Sequence, residues 1–277
     1  MIVREFRGAW RRLLARPGYT CLSTGMLGVG LGVLLFLFSL IDTLVLQPLP
    51  FPHADRLLAI GEVHDNGSGI GDIESSQYLD LHGRLQGLDE DGAYAPVGLG
   101  MDHGNGTSFY RGTLWTSSMM DLLGVKPLLG RGFGAADDVP DAAPVVLIGE
   151  TLWRHGFDAD PAVIGRAVRV NGEWATVVGV LPAAFGFPGV SQLWMPLQPR
   201  AGQHDSVYMA GRLKPGVSLV QARSQLGALD GQLRQRSTSW QMQQALTAKP
   251  LAVSFAPEDM LRWVWLMFAA AALVLLL

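Results

Sequence analysis

Between Pro17 and Ile41 the chain runs for 25 residues without a charged side chain, PGYTCLSTGMLGVGLGVLLFLFSLI. As a helix this stretch is about 37 Å long, enough to cross a hydrocarbon core of about 30 Å. Arg4, Arg7, Arg11, Arg12 and Arg16 precede it and Asp42 closes it. Residues 1–16 carry five arginines against Glu5, a local charge of +4, whereas the rest of the chain holds 16 basic and 23 acidic side chains. The positive-inside rule then puts the N-terminus in the cytoplasm and everything after residue 46 outside. A cleaved signal peptide needs an apolar core of about 7–15 residues and a small-x-small cleavage site. This core is longer and SLIDTLVLQP offers no such site. Residues 17–46 are therefore expected to form a first transmembrane helix that stays attached. Gly28 and Gly32 make a GxxxG pair, which allows another helix close approach. The same GVGLG string is not read as a phosphate loop, because no strand precedes it.

Two flanking segments complete the membrane reading. Val3, Phe6, Trp10, Leu13 and Leu14 recur at helical spacing among the arginines, so residues 1–16 are expected to lie on the cytoplasmic leaflet as an amphipathic helix. After Arg262 come 15 uncharged residues, WVWLMFAAAALVLLL. That is about 22 Å of helix, short of a full span. Residues 258–277 are expected to be the start of a second transmembrane helix, truncated, with Trp263 and Trp265 at the outer interface. Composition agrees: 49% of residues are hydrophobic and 16% charged, against about 25% charged in an ordinary soluble domain. Bulk disorder is excluded and a purely soluble protein is disfavoured. A single cysteine rules out an internal disulfide framework and a multi-thiolate zinc site. The net charge of −3 does not point to nucleic acid as a partner.

Residues 47–257 form the expected outer domain. RLLAIGEV (56–63) reads as a strand, and Tyr78, Leu81, Leu85 and Leu88 as one face of a helix. AYAPVGLGM and TSFYRGTLW read as strands, with Ser117 capping a short helix that ends at Gly124. PVVLIG is a further strand, and Asp160-Pro161 a helix start. RAVRV and EWATVVGVLP flank Asn171-Gly172, the residue pair favoured by a type I′ hairpin turn. DSVYMAGRL is a strand, Ser218 and Gln221 have capping-box spacing, and Ala222, Leu226, Leu229 and Leu233 form a helical stripe. PLAVSFA reads as the last strand. Strand–helix units thus stand near both ends, at 56–88 and 205–236, around a hairpin-rich middle.

No pattern of catalytic or ligating residues emerges. None of the six histidines lies three or four residues from another, and HExxH is absent. Asp102-His103 is an isolated polar pair in a glycine-rich stretch. Residues 65–74 have glycines where a calcium loop needs oxygen ligands. Asp137, Asp138 and Asp141 read as an acidic, solvated loop rather than a cation site. Asn66-Gly67-Ser68 and Asn105-Gly106-Thr107 match the glycosylation triplet but read as turns. There is no GxSxG elbow and no GxxxxGK[ST], and Cys21 falls within the membrane helix. The expectation is no catalytic residue, no metal and no cofactor.

Five strings in order carry a family resemblance: the arginine-rich lead through the first helix to LVLQPLPFPHADRL; SSQYLDLHGRLQGLDEDGAYAP; SSMMDLLGVKPLLGRGF; PVVLIGETLWRHGFDADPAVIGRAVRVNGEWATVVGVLPAAFGFP; and LWMPL with AGRLKPGVSLVQARSQL. Together they resemble MacB-like ABC transporter permeases, a group that includes Lol-type and FtsX-type proteins. The resemblance implies an α+β extracytoplasmic domain, with porter-like strand–helix units and an inserted hairpin-rich subdomain, carried on transmembrane helices. It implies a permease without its own ATPase, working as a dimer with a cytoplasmic ABC ATPase in a bacterial inner membrane. A periplasmic adaptor is a further implied partner. GRGF, Gly165, Asn171-Gly172 and Gly179 match family landmarks and read as turn and packing positions. The family's loop between its second and third membrane helices, which meets the ATPase, lies outside this sequence. Alternative readings are a membrane-anchored sensor or receptor, an FtsX-like regulator of cell-wall hydrolases, and a membrane-anchored wall hydrolase. The last lacks a nucleophile or metal cluster to support it.

Overall fold

The structure, a computed structural model, describes residues 17–41, 51–63, 69–102, 106–200, 202, 204–236, 244–254 and 266–269. The expected amphipathic helix at 1–16 lies outside these residues, as does the 258–277 segment apart from a helical turn at 266–269. The chain divides into two units, Met1–Pro48 with Ala256–Leu277, and Leu49–Phe255.

In the first unit, α1 occupies Pro17–Ile41, all 25 uncharged residues. Only part of its side chains is described, and among the described residues no helix is long and apolar enough to cross a membrane. A bilayer crossing therefore stays an expectation drawn from the full run of uncharged residues.

The second unit is built on an 11-stranded sheet. β1 (Leu57–Glu62), α2 (Ser75–Leu81), β3 (Leu88–Asp102), β10 (Ser206–Leu213), α5 (Leu219–Arg236) and β11 (Leu246–Pro250) give four antiparallel strands in the order β11-β1-β10-β3. Two strand–helix–strand units interleaved in this way form the split βαβ arrangement. Everything from β4 (Thr107–Trp115) to β9 (Leu193–Pro196) is inserted between the third and fourth of these segments, β3 and β10. The insert does not make a separate sheet. β3 is 15 residues long; its first half pairs with β10 and its second half with β4. From β4 the sheet continues through β9, β6 (Val145–Gly149) and β8 (Glu173–Leu181) to the two-residue β5 (Leu129–Gly130). β7 (Ala167–Val170) bridges β8 and the far end of β3, and the short β2 (Ile73–Glu74) pairs with β10.

Three apolar cores follow from the faces of this sheet. α2 and α5 cover one face of the split βαβ part, where Leu58, Ile60, Tyr78, Leu81, Leu226 and Leu233 are buried together. The opposite face packs Trp115, Trp194, Phe185 and Phe187 against α3 (Ser118–Leu123). A third core, with Val146, Ile148, Val177 and Val180, lies in the insert against α4 (Glu150–Gly156). Arg212 on β10 donates to the carbonyls of Asp121 and Leu122 at the end of α3. A cation placed there offsets the negative end of the helix dipole.

Several expected elements change their bounds. The four-residue stripe Tyr78, Leu81, Leu85 and Leu88 is buried in one core, but the helix stops at Leu81 and Leu88 opens β3. Gly83, at φ 70, turns the chain before another helical turn can form. The last strand is LTAKP at 246–250, and the expected strand LAVS is the helical turn α6 (Leu251–Ser254) instead. Pairing with β1 fixes this register, so that Leu246 and Ala248 point into the core. Ser117 precedes α3 without capping it by its side chain, since its hydroxyl donates to Asp138 at 2.6 Å. Asp160 caps only a 3-10 turn, Pro161–Val163, accepting from the Ala162 N–H. The Asn171-Gly172 hairpin forms as expected, with φ of 51° and 88°, the left-handed pair that a type I′ turn needs.

Candidate functional site

Tyr94 on β3 and Tyr208 on β10 are directly opposed across the antiparallel ladder, so their rings meet. The rings stack at 5.5 Å with an interplanar angle of 25°. Phe187 closes edge-on against Tyr94 at 4.9 Å. Beside this pair lies a cavity of about 340 Å³, with Ile60, Ile70, Pro96, Pro188 and Met209 among its walls and Ser254 of α6 on its lining. Among the described residues no charged side chain lines it. Tyr94 is 5% exposed and Tyr208 38%, so one ring is a wall of the core and the other a lip open to water. Burial pushes the Tyr94 phenol well above its ordinary range, which keeps it protonated and able to donate. Among the described residues nothing accepts from that hydroxyl. The fully enclosed polar atoms without a partner are Trp115 Nε1, Arg212 Nε and Asp230 Oδ1. The Tyr94 oxygen is not one of them, so it retains an opening, and its residue lines the cavity.

A polar knot ties α2 to β3 nearby. His82 Nδ1 lies 2.5 Å from Asp91 Oδ1, and the Gly83 N–H donates to Asp91 Oδ2 at 3.1 Å. The Tyr78 hydroxyl also lies near His82 Nδ1, at 3.1 Å. One ring proton cannot serve both well, and the carboxylate at shorter range takes it. Asp91 holds the His82 pKa above its ordinary value, mainly through the hydrogen bond. An acyl-transfer triad would set the carboxylate and the nucleophile on opposite ring nitrogens. Here both approach Nδ1, so the arrangement works as a structural tie.

The three aspartates singled out in the sequence have separate commitments. Asp137 is buried and takes both Arg131 guanidinium nitrogens, at 2.6 and 3.0 Å, which lowers its pKa. Asp138 accepts from the Ser117 N–H and hydroxyl. Asp141 pairs with Arg200 at 2.7 Å. The solvated-loop reading is thus corrected for Asp137 and Asp138, which brace α3 and the GRGF turn. Among the described residues no three His, Cys, Asp or Glu side chains cluster as a metal site. His103 and the Asn66-Gly67-Ser68 triplet lie outside the described residues.

The landmark glycines are packing positions. Gly130 and Gly179 face each other across the β5–β8 pair. A Cβ on Gly179 would stand 2.3 Å from the Arg131 carbonyl oxygen, and one on Gly130 2.2 Å from that of Val178. Gly165 takes a positive φ of 85° at a turn. Sequence reasoning missed Tyr94 and Tyr208, although each lies in a strand it identified. The only usable signal was a tyrosine within each; which one meets which depends on a register across the whole insert.

The MacB-like periplasmic core domain family matches residues 20–229. Among solved structures, the extracellular domain of the noncanonic ABC-type transporter YknZ from Gram-positive bacteria is similar at TM-score 0.52 and 16% identity, covering 70% of this chain and 99% of its own. The periplasmic region of MacB from Actinobacillus actinomycetemcomitans is similar at TM-score 0.52 and 15% identity, covering 76% and 93%. A domain of a permease protein from Porphyromonas gingivalis reaches TM-score 0.55 at 16% identity, covering 73% and 92%. At these identities the likeness is one of fold. No curated protein matches the chain.

Proposed function

The chain belongs to the family of MacB-like periplasmic core domains, and from that premise we propose that it is a permease subunit of a MacB-like ABC transporter. It transmits ATP-driven motion from the cytoplasm to an outer domain, for export or extraction of a substrate. In this reading residues 1–16 lie on the cytoplasmic leaflet and 17–46 anchor the chain in the inner membrane. Residues 47–257 work on the outer side, and 258–277 re-enter the bilayer. ATP is bound and hydrolysed by a separate cytoplasmic ATPase, and two permease units act as a dimer, joined where needed by a periplasmic adaptor. The family is a transporter-permease domain rather than a catalytic one, and this chain is read as non-enzymatic. The observation that carries the proposal is the split βαβ sheet interrupted by an insert, of which β1 to β10 and the insert lie within the span of the family match. The arginine-flanked, uncharged run of α1 supports the membrane orientation.

The test uses the full chain with Cys21→Ser and a new cysteine at Phe109, which is 85% exposed. A membrane-impermeant maleimide is expected to label it in spheroplasts, and to do so at a different rate when a co-expressed ATPase is trapped with nucleotide. Labelling only in inside-out vesicles overturns the orientation. Labelling that ignores the nucleotide state overturns the transmission role.

A further inference from the structure

We propose that the cavity beside Tyr94 and Tyr208 is a binding site for a neutral, flat, largely apolar molecule that carries a hydrogen-bond acceptor. Its volume of about 340 Å³ lies within the roughly 300–1,000 Å³ typical of ligand pockets. Such pockets are mostly apolar, with few polar groups that fix orientation. The same division holds here, with alanine, isoleucine, proline and methionine forming the walls and two phenols and Ser254 as polar members. An ion is a poor occupant, since among the described residues no charged side chain lines the space to offset its desolvation.

The polar group that points to a ligand is the Tyr94 hydroxyl. The residue is 5% exposed, and nothing among the described residues accepts from its hydroxyl. The Tyr94 oxygen is not fully enclosed, so the donor is open to a partner from outside the protein, and an occupant of the cavity can supply the acceptor it lacks. The Ser254 hydroxyl is already committed, donating to the Leu251 carbonyl at 2.7 Å. That leaves the two phenols, of which Tyr94 is the one set in the buried wall, placed to read a carbonyl or ether oxygen. The exposed Tyr208 ring, stacked on Tyr94, offers an aromatic edge at the mouth, against which a planar ring can pack. The inference does not rest on the transport reading; an outer domain of any role could carry this site.

The test uses the full chain in lipid nanodiscs and saturation-transfer NMR, with empty nanodiscs subtracted. The probe is coumarin, a neutral aromatic lactone. Its control is 1,2-dihydronaphthalene, of the same two-ring shape without the carbonyl. Wild type is expected to bind both. Tyr94→Phe keeps the ring and removes the donor, so coumarin should weaken up to about tenfold while the hydrocarbon is unchanged. Ser254→Trp fills the cavity from its lining and should abolish both. Near-UV circular dichroism checks that each variant keeps its fold. The site is overturned if coumarin gives no signal above empty nanodiscs, or if Ser254→Trp leaves binding intact. It is also overturned if Tyr94→Phe weakens both probes equally, or if water alone satisfies the hydroxyl and both probes bind Tyr94→Phe as they bind wild type.

Discussion

His82 shows how one side chain makes this fold sensitive to protons. Its pKa is raised by Asp91, so the folded state holds the proton more tightly than the unfolded chain. The stabilisation is complete below the unfolded value of about 6.5 and is lost as pH rises through the folded value. The denaturant midpoint is expected to fall as pH rises above the unfolded value, and His82→Gln should flatten that slope. Half of the ring is exposed, so the effect is modest. Gly179 makes a steric prediction. Gly179→Ala drives a methyl into the Arg131 carbonyl and the Leu147 side chain, at a cost of about 1–3 kcal/mol. Gly98→Ala meets nothing within 4 Å and should stay within about 0.5 kcal/mol of wild type. Thermal melts of the pair separate steric crowding from loss of glycine as such. At this scale the sequence was legible for the Asn171-Gly172 turn, where two adjacent residues determine the geometry. It misled at Asp137, read as part of a solvated loop, whose partner Arg131 is near in sequence but whose burial depends on the packing of α3 and the GRGF turn.

Among the elements, α5 was the most readable. Its capping box is formed: the Ser218 N–H donates to Gln221 Oε1 at 2.8 Å, and the Gln221 N–H to the Ser218 hydroxyl at 3.3 Å. Ala222, Leu226 and Leu233 are buried as the stripe requires. Ser218→Ala is expected to cost about 1 kcal/mol, visible as a lower denaturant midpoint with an unchanged slope. Elements fixed by local chemistry were found, and those fixed by pairing were misplaced. β11 slid toward the N-terminus of its expected position because its ladder with β1, not its own hydrophobicity, sets which residues are strand. α2 came out shorter than its apolar stripe because burial does not distinguish a helical turn from a following loop and strand that enter the same core.

For the whole outer unit, the strand–helix units at 56–88 and 205–236 were legible, but their merger with the insert was not. Sequence periodicity cannot say that one strand serves two neighbourhoods. The register Tyr94↔Tyr208 sets Ala95 opposite Val207 and suggests a decisive variant. Joining Ala95 to Val207 through an Asn-Gly turn removes the insert and leaves the βαββαβ order. Far-UV circular dichroism should keep its helical signal, since α2 and α5 retain their core. The opposite face, with Leu57, Ala59 and Ala210, loses Trp194 and Phe185, so the variant should bind 1-anilinonaphthalene-8-sulfonate and melt at a lower temperature.

β3 has a mechanical consequence. Its 15 residues are laced to β10 along one stretch and to β4 along the next, a beam of about 50 Å at strand rise. The two registers overlap only at Tyr94, so a bend there would leave each ladder whole. Movement delivered at the Leu88 end therefore reaches Asp102 through a single shared residue, much as a door swings about one pin.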